Sequence, residues 1–349
     1  MKQPTFSIIM PCYNSEEYVK TALNSIVSQT YPFWELIAVN DGSSDNTLNI
    51  LESFAKKDER IKIFNKENGG YVSAVNLGLT KISGDYFLFL GSDDQLSTEL
   101  FETLTVRVEK CEDLPDAIGF RSLQFLDGKC IGNDEFTRFD NFVYEPNCNF
   151  KTYIEKHANE SAIFTTRDTA KCFKSSKLNG LTYFGKYGIE ADGIFSMLFF
   201  QNCSSFMSVP FDGYLWTLRS DSVSSSPSLE KSLDRISNWR KFFEHLNSFK
   251  TDEISKIACL YILPACLLCV QLCYSFKNTM KYRRFIKDNL QFFIAVSPKY
   301  GMDKRLIRKF KFIRLFPSLY SVLYKIKFWT LIDKIYLLCY KSYKFLKKN

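Results

Sequence analysis

Histidine is almost absent: 349 residues hold two, His157 and His245. That leaves no room for a His-built zinc site, a Cys2His2 finger or a histidine relay, so any metal must be held by carboxylates. Eleven cysteines, an odd number, fall into no repeated C-x-x-C framework, and no signal peptide precedes Lys2 and Gln3. Reduced thiols in a cytoplasmic compartment are the expectation. No G-x-G-x-x-G follows the first apolar run and no G-x-x-x-x-G-K-[ST] occurs, so dinucleotide and P-loop chemistry are poor readings. What is present is core-forming material: 46% hydrophobic residues, with 33 Phe and 19 Tyr, against 24% charged. That balance excludes a disordered chain and a small disulfide scaffold.

The net charge of +8 conceals an asymmetry. From Lys277 to Asn349, 19 Lys and Arg face 3 acidic residues, which leaves the first 276 residues at a net −8. An acidic front carries a basic tail.

The front alternates strand and helix patterns. Phe6–Met10 is an apolar run ended by Pro11, as in a strand buried on both faces. From Asn14 or Ser15 as cap, Tyr18, Val19, Ala22, Leu23, Ile26 and Val27 form one helical stripe that Thr30–Pro32 ends. The cycle repeats with a strand at 35–40, a helix capped by Asp45 or Asn46, a strand at 61–64, a helix at 71–80 and a strand at 86–90. Such alternation predicts a mostly parallel sheet flanked by helices, with ligands outside the carboxyl ends of the strands. Those ends carry Asp41, Asp45, Asp93 and Asp94. Bare carboxylates repel a phosphate, so either a divalent cation bridges them to an anionic ligand or Asp41 accepts from a base or sugar. Oxygen-only ligands select Mg2+ or Mn2+ over zinc. Asp45 reads as a turn and cap residue.

Five linked segments carry a resemblance: SIIMPCYN at Ser7–Asn14, the run Ser28–Thr47 containing NDGSSDNT, NGG at Asn68–Gly70, VNLGL at Val75–Leu79, and SGDYFLFLGSDD at Ser83–Asp94. In this order they resemble the inverting nucleotide-sugar glycosyltransferases of family 2, over roughly residues 4–226. The resemblance implies an α/β GT-A-type fold, a mostly parallel sheet with flanking helices. It implies a catalytic domain over 1–226, with 1–95 as nucleotide-binding half and 96–226 as acceptor-binding half; residues 227–349, where the family motifs stop, read from their own pattern as a helical C-terminal region. By the same resemblance Pro11 and Tyr13 line the nucleotide pocket, with the Tyr13 ring against uracil, and Asp41 accepts from the base N–H. Asn14, Gly70 and Ser92 join that nucleotide-binding set. Asp93 with Asp94 takes the metal position, for Mn2+ or Mg2+. Gly91 departs from the pattern, since the family usually has Asp there.

Leu178–Phe195 is similar to the segment that carries the family's catalytic base. With Phe195 as anchor, Asp192 takes the base position, Ala191 replaces the usual Glu, and Glu190 is the second candidate. Tyr214–Ser224 looks like the close of many such domains, where Arg219 would reach the diphosphate. The implied function is transfer of a single sugar, with inversion, from a UDP-sugar donor to a glycan or lipid-linked glycan acceptor in bacterial surface polysaccharide biosynthesis. No Q-x-x-R-W occurs, Trp239–Arg240 lacking the Gln, which disfavours a processive synthase. Gly91 and Ala191 motivate an alternative, a glycosyltransferase-like domain that binds without turnover.

Beyond Pro227 the pattern is helical, including Leu233–Phe249. Ile257–Phe276 is uncharged and reaches spanning length, but Pro264 and Gln271 interrupt it. A lone span would also place the basic tail outside, against the positive-inside rule, so a buried or in-plane helix is preferred. From Lys304 to Lys348 basic residues interleave with aromatics. This fits an interfacial membrane helix or a packed helix with a solvated basic face, and both readings stand. No folded nucleic-acid motif accompanies the charge, so no nucleic-acid partner is expected. The expected location is the cytoplasm, with the C-terminal region as a candidate peripheral contact to the cytoplasmic face of the inner membrane.

Overall fold

Strands covered by helices on both faces must be apolar on both, and β1 (Phe6–Cys12) and β2 (Trp34–Asp41) are buried along almost their whole length. In the computed structural model, which describes residues 3–134, 140–157, 167–185, 191–219, 228–248, 266–272, 275–297 and 304–318, they lie side by side in a ten-stranded sheet, next to its β3 edge. The chain divides into two units, Met1–Ser226 and Pro227–Asn349.

In the first unit β1 and β2 alternate with α1 (Val19–Val27), α2 (Thr47–Ala55), β3 (Ile61–Lys66), α3 (Tyr71–Leu79) and β4 (Tyr86–Phe89). β1 pairs in parallel with β2 on one side and β4 on the other, and β2 with β3. The chain therefore winds outward from β1 to β3, then returns to lay β4 on β1's free side. That reversal opens a crevice at the carboxyl ends of β1 and β4, where ligands bind in sheets of this kind.

The chain continues through β5 (Gln95–Leu96), α4 (Leu100–Val108), β6 (Ala117–Leu126), β7 (Lys129–Asn133), β8 (Val143–Glu145), α5 (Phe150–Lys156), β9 (Lys171–Lys174), α6 (Ala191–Phe200) and β10 (Phe206–Leu218). The order is β3-β2-β1-β4-β9-β6-β10-β5, with β7 on β6 and β8 on β10. β6 and β10 keep the direction of β1 to β4, whereas β9 is antiparallel to both β4 and β6 and so separates the two parallel groups. Aromatic packing holds both faces. Phe6 stacks on Phe101 of α4 at 4.5 Å between centroids, while Phe195 of α6 meets the edge of Phe89 at 5.5 Å.

One local expectation is corrected. Neither Asn14 nor Ser15 caps α1: the Asn14 backbone is left-handed, φ 46°, and α1 begins only at Val19 after a turn, with Tyr18 at the cap position. The polar loops after β1 and β2 bond to each other instead. Asn14 Oδ1 accepts from Ser44 N at 2.9 Å, Ser15 N donates to Thr47 Oγ1 at 2.7 Å, and Asp45 accepts from Glu16 N and Thr47 N, both at 3.0 Å. Asp45 is thus the turn residue its sequence context suggested.

The second unit contains α7 (Leu229–Ser248), α8 (Phe276–Lys281), α9 (Arg283–Val296) and α10 (Lys304–Leu315) among its described helices. α9 packs on α7 and α10, with Phe243 and Phe293 edge to face at 6.2 Å. Most of Ile257–Phe276 lies outside the described residues; within 266–272, Cys266, Cys269, Val270 and Leu272 are buried. Among the described residues no helix is long and apolar enough to cross a membrane.

Candidate active site

Asp41 ends β2 and is only 3% exposed. A buried carboxylate needs donors, and it has three. Oδ1 accepts from Lys66 Nζ at 2.6 Å and Gly69 N at 2.9 Å, and Oδ2 from Gly70 N at 2.8 Å. Gly70 sits at φ 84°, a backbone that L side chains rarely adopt, and leads directly into α3. Asp41 therefore fixes the β3–α3 loop and keeps one further acceptor direction on Oδ2 for a ligand N–H. Pro11 is half-buried in β1 and Tyr13 is 53% exposed at the rim of the crevice, a ring available for stacking.

Gly91–Asp94 follows β4. Ser92 Oγ meets Ser15 Oγ at 2.8 Å, joining the ends of β1 and β4. Asp94 is buried, with Tyr214 Oη donating to it at 2.6 Å and Thr217 N at 2.8 Å, both from β10. Burial, with the neighbouring Asp93 charge second, pushes its pKa up to about 7. Asp93 forms an ion pair with Arg219 at 3.2 Å, and the Arg219 guanidinium also lies 4.2 Å from the centroid of the Tyr18 ring. β10 thus brings Arg219 to Asp93 across more than a hundred residues of chain. At Gly91 a Cβ would stand 2.6 Å from Asp94 Oδ2 and 2.9 Å from Asp93 Oδ1. The carboxylate pair in this arrangement occupies the space a side chain there would need.

No group of three or more His, Cys, Asp or Glu that could hold a metal occurs among the described residues. Mg2+ ordinarily takes one or two carboxylates and completes its shell with substrate phosphate and water, which Asp93 and Asp94 fit. Asp94 already accepts from Tyr214 and Thr217, so Asp93 is the better-placed ligand, at the cost of its pairing with Arg219.

Asp192 lies half-buried in the first turn of α6, and Glu190 lies outside the described residues. One turn on, Phe195 stacks on Tyr183 at 4.7 Å. Tyr183 Oη donates to the buried Asp168, and its backbone bonds twice to the Asn76 side chain of α3, at 2.8 and 3.2 Å. Lys171 of β9 is buried beside them, Nζ donating to Arg167 O at 2.6 Å and Thr169 O at 3.1 Å. Burial pushes the Asp168 carboxyl up and the Lys171 ammonium down to about 7, while each draws the other back towards its charged form. Sequence reading missed this cluster, as it missed Lys66, Tyr18 and Thr217. Lys66 ends β3 and Lys171 begins β9, but none of them sits in a spacing that marks chemistry, and the partners of Lys66 and Thr217 lie 25 and 123 residues away along the chain.

Residues 7–162 match the sequence profile of Glycosyl transferase family 2. An uncharacterized glycosyltransferase of Haemophilus influenzae is 42% identical over 108 residues, 31% of this chain and 33% of that protein. The putative teichuronic acid biosynthesis glycosyltransferase TuaG of Bacillus subtilis is 34% identical over 147 residues, 41% of this chain and 54% of that protein. The matched segment thus spans a third to about half of these relatives' length. Staphylococcus aureus TarS, residues 1–349 in complex with UDP, superposes with a TM-score of 0.66 at 20% identity, covering 92% of this chain and 91% of that one. Its complex with UDP-GlcNAc gives the same score, covering 91% and 88%. The fold is of the GT-A glycosyltransferase type, and residues 7–162 are similar to glycosyl transferase family 2.

Proposed function

We propose that this chain transfers a single sugar, with inversion, from a UDP-sugar to a glycan or lipid-linked glycan acceptor in bacterial surface polysaccharide biosynthesis. The observation that carries this reading is the crevice at the carboxyl ends of β1 and β4, with Asp41 at the end of the adjacent β2 and the Asp93–Arg219 ion pair after β4. Support comes from TarS, whose complexes contain UDP and UDP-GlcNAc, and from TuaG, named for teichuronic acid biosynthesis. In this reading Tyr13 stacks on the base and Asp41 accepts its N–H, with Pro11, Asn14, Gly70 and Ser92 shaping the pocket. Arg219 leaves Asp93 for the diphosphate. Asp93, with Asp94, would hold Mn2+ or Mg2+, which neutralises charge on a departing diphosphate. Asp192 removes the acceptor hydroxyl proton as that oxygen attacks the anomeric carbon from the opposite face, with Glu190 as the alternative base. One displacement inverts the centre, and no covalent intermediate is needed. The reaction takes place on the cytoplasmic side, with the basic C-terminal region turned to an anionic membrane face. Assay of UDP release from a panel of UDP-sugars with Mn2+ tests the reading. Tight UDP-sugar binding without turnover on any acceptor would favour the non-catalytic domain that Gly91 and Ala191 suggest.

A further inference from the structure

Among the described residues, the C-terminal unit carries apolar surface that its own packing does not use. α10 buries Ile307, Phe310 and Ile313, yet Phe312, Leu315 and Phe316 are 41%, 51% and 50% exposed. The rings of Phe312 and Phe316 lie 5.5 Å apart, so they form one patch. Met280 of α8 is 52% exposed and lies beside it, its Sδ 3.8 Å from Ser318 Oγ. A shallow groove begins at Met280 and is lined by Lys281, Arg283, Arg284, Lys287 and Asp288. Four cations there face a single carboxylate, itself 3.7 Å from Arg284. Arg308 and Lys311 on α10 are exposed as well.

Single exposed apolar residues are ordinary, but a contiguous group of two Phe, a Leu and a Met ringed by Lys and Arg is not. The two kinds of side chain match the two layers of a bilayer interface: rings and alkyl groups enter the headgroup–acyl boundary while ammonium and guanidinium groups meet phosphate. A free polyanion would satisfy the cations and leave the apolar patch in water. An apolar protein face would cover the patch and leave the cations uncompensated. We propose that Met280, Phe312, Leu315 and Phe316, with the groove from Lys281 to Lys287, dock this chain on an anionic phospholipid bilayer, the apolar residues inserting and the groove taking a lipid phosphate. This rests on the membrane-facing reading of the C-terminal region and is independent of the sugar-transfer chemistry.

The test is co-sedimentation of the full chain with vesicles of phosphatidylcholine containing phosphatidylglycerol, and with phosphatidylcholine alone. Two triple variants are compared, Phe312→Ser/Leu315→Ser/Phe316→Ser and Lys281→Glu/Arg284→Glu/Lys287→Glu. A third, Lys341→Glu/Lys344→Glu/Lys347→Glu, serves as a tail control. The unaltered chain binds the anionic vesicles only and less at high salt, and each of the first two variants loses about tenfold or more in partitioning, with melting and UDP affinity unchanged. A large loss in the tail control alone moves the contact to residues 319–349 and overturns this surface while leaving the membrane reading in place. No binding of the unaltered chain to anionic vesicles overturns the membrane reading itself. Dimerisation abolished by the Ser variant, with vesicle binding intact, makes the patch a self-association face and refutes the proposal.

Discussion

Asp41→Asn keeps the shape of the side chain and replaces one carboxylate oxygen with an amide that can only donate. Every direction around this carboxylate that the structure fills already holds a donor: Lys66 Nζ and Gly69 N on one oxygen, Gly70 N on the other. Turned either way, the new NH2 faces an N–H or an ammonium, so at least one bond is lost and the others lose their charge assistance. Hydrogen bonds to a charged group contribute about 1.5–3 kcal/mol each. The Lys66 share is discounted, since its side chain is 20% exposed and rehydrates when released. The expected loss of stability is about 2–4 kcal/mol. Gly69 and Gly70 are also the anchors of the loop that opens α3, so UDP affinity should fall with stability, by about tenfold or more. Urea unfolding followed by circular dichroism, with calorimetric titration of UDP, reads both. A variant within about 0.5 kcal/mol of the unaltered chain and with equal UDP affinity would show that Asp41 neither holds this loop nor meets the nucleotide.

Asp192→Asn should lower turnover by roughly 10²-fold or more with UDP affinity and melting preserved; an inactive Glu190→Gln beside an active Asp192→Asn would move the base to Glu190. EDTA should abolish turnover and Mn2+ or Mg2+ restore it, and Asp93→Ala should weaken UDP binding in the presence of metal. Calorimetry showing unchanged affinity in that variant removes Asp93 from the site. Burial lowers the folded-state pKa of Lys171 to about 7, below its unfolded value. Above that point the unfolded chain holds the proton that the folded one releases, so this group's contribution to stability rises with pH from about 7 towards the ordinary lysine range. Lys171→Met should flatten that rise in urea midpoints measured across the window, and an unchanged slope would show that the Lys171 charge is not what burial penalises.

The front half was legible because buried parallel strands write themselves as apolar runs. Phe6–Met10 and Glu35–Asn40 fall inside β1 and β2, and the polar residues after each run mark where the sheet stops and a ligand can begin. Asn14 and Ser15 carry a local cap pattern, but both take partners after β2, Ser44 and Thr47, and α1 starts further on, at Val19. Similarly, Asp93 and Asp94 look like an interchangeable pair in sequence. In the fold one faces Arg219 while the other is buried against Tyr214 and Thr217.

Sequence alone therefore determined the class of fold, the strand ends that line the crevice, and the acidic character of what stands there. These depend on hydrophobic periodicity and on residues a few positions apart, and both are written in order along the chain. Tertiary structure alone decided that β9 enters antiparallel between β4 and β6, that β10 returns Arg219 to Asp93, and that Asp168, Lys171 and Tyr183 share one buried cluster beneath Asp192's helix. Such pairings join residues far apart in the chain, and no local pattern records which partners burial will bring together. Once water is excluded, a carboxylate or an ammonium must find a counter-charge or a hydrogen bond, and the fold selects which one is within reach.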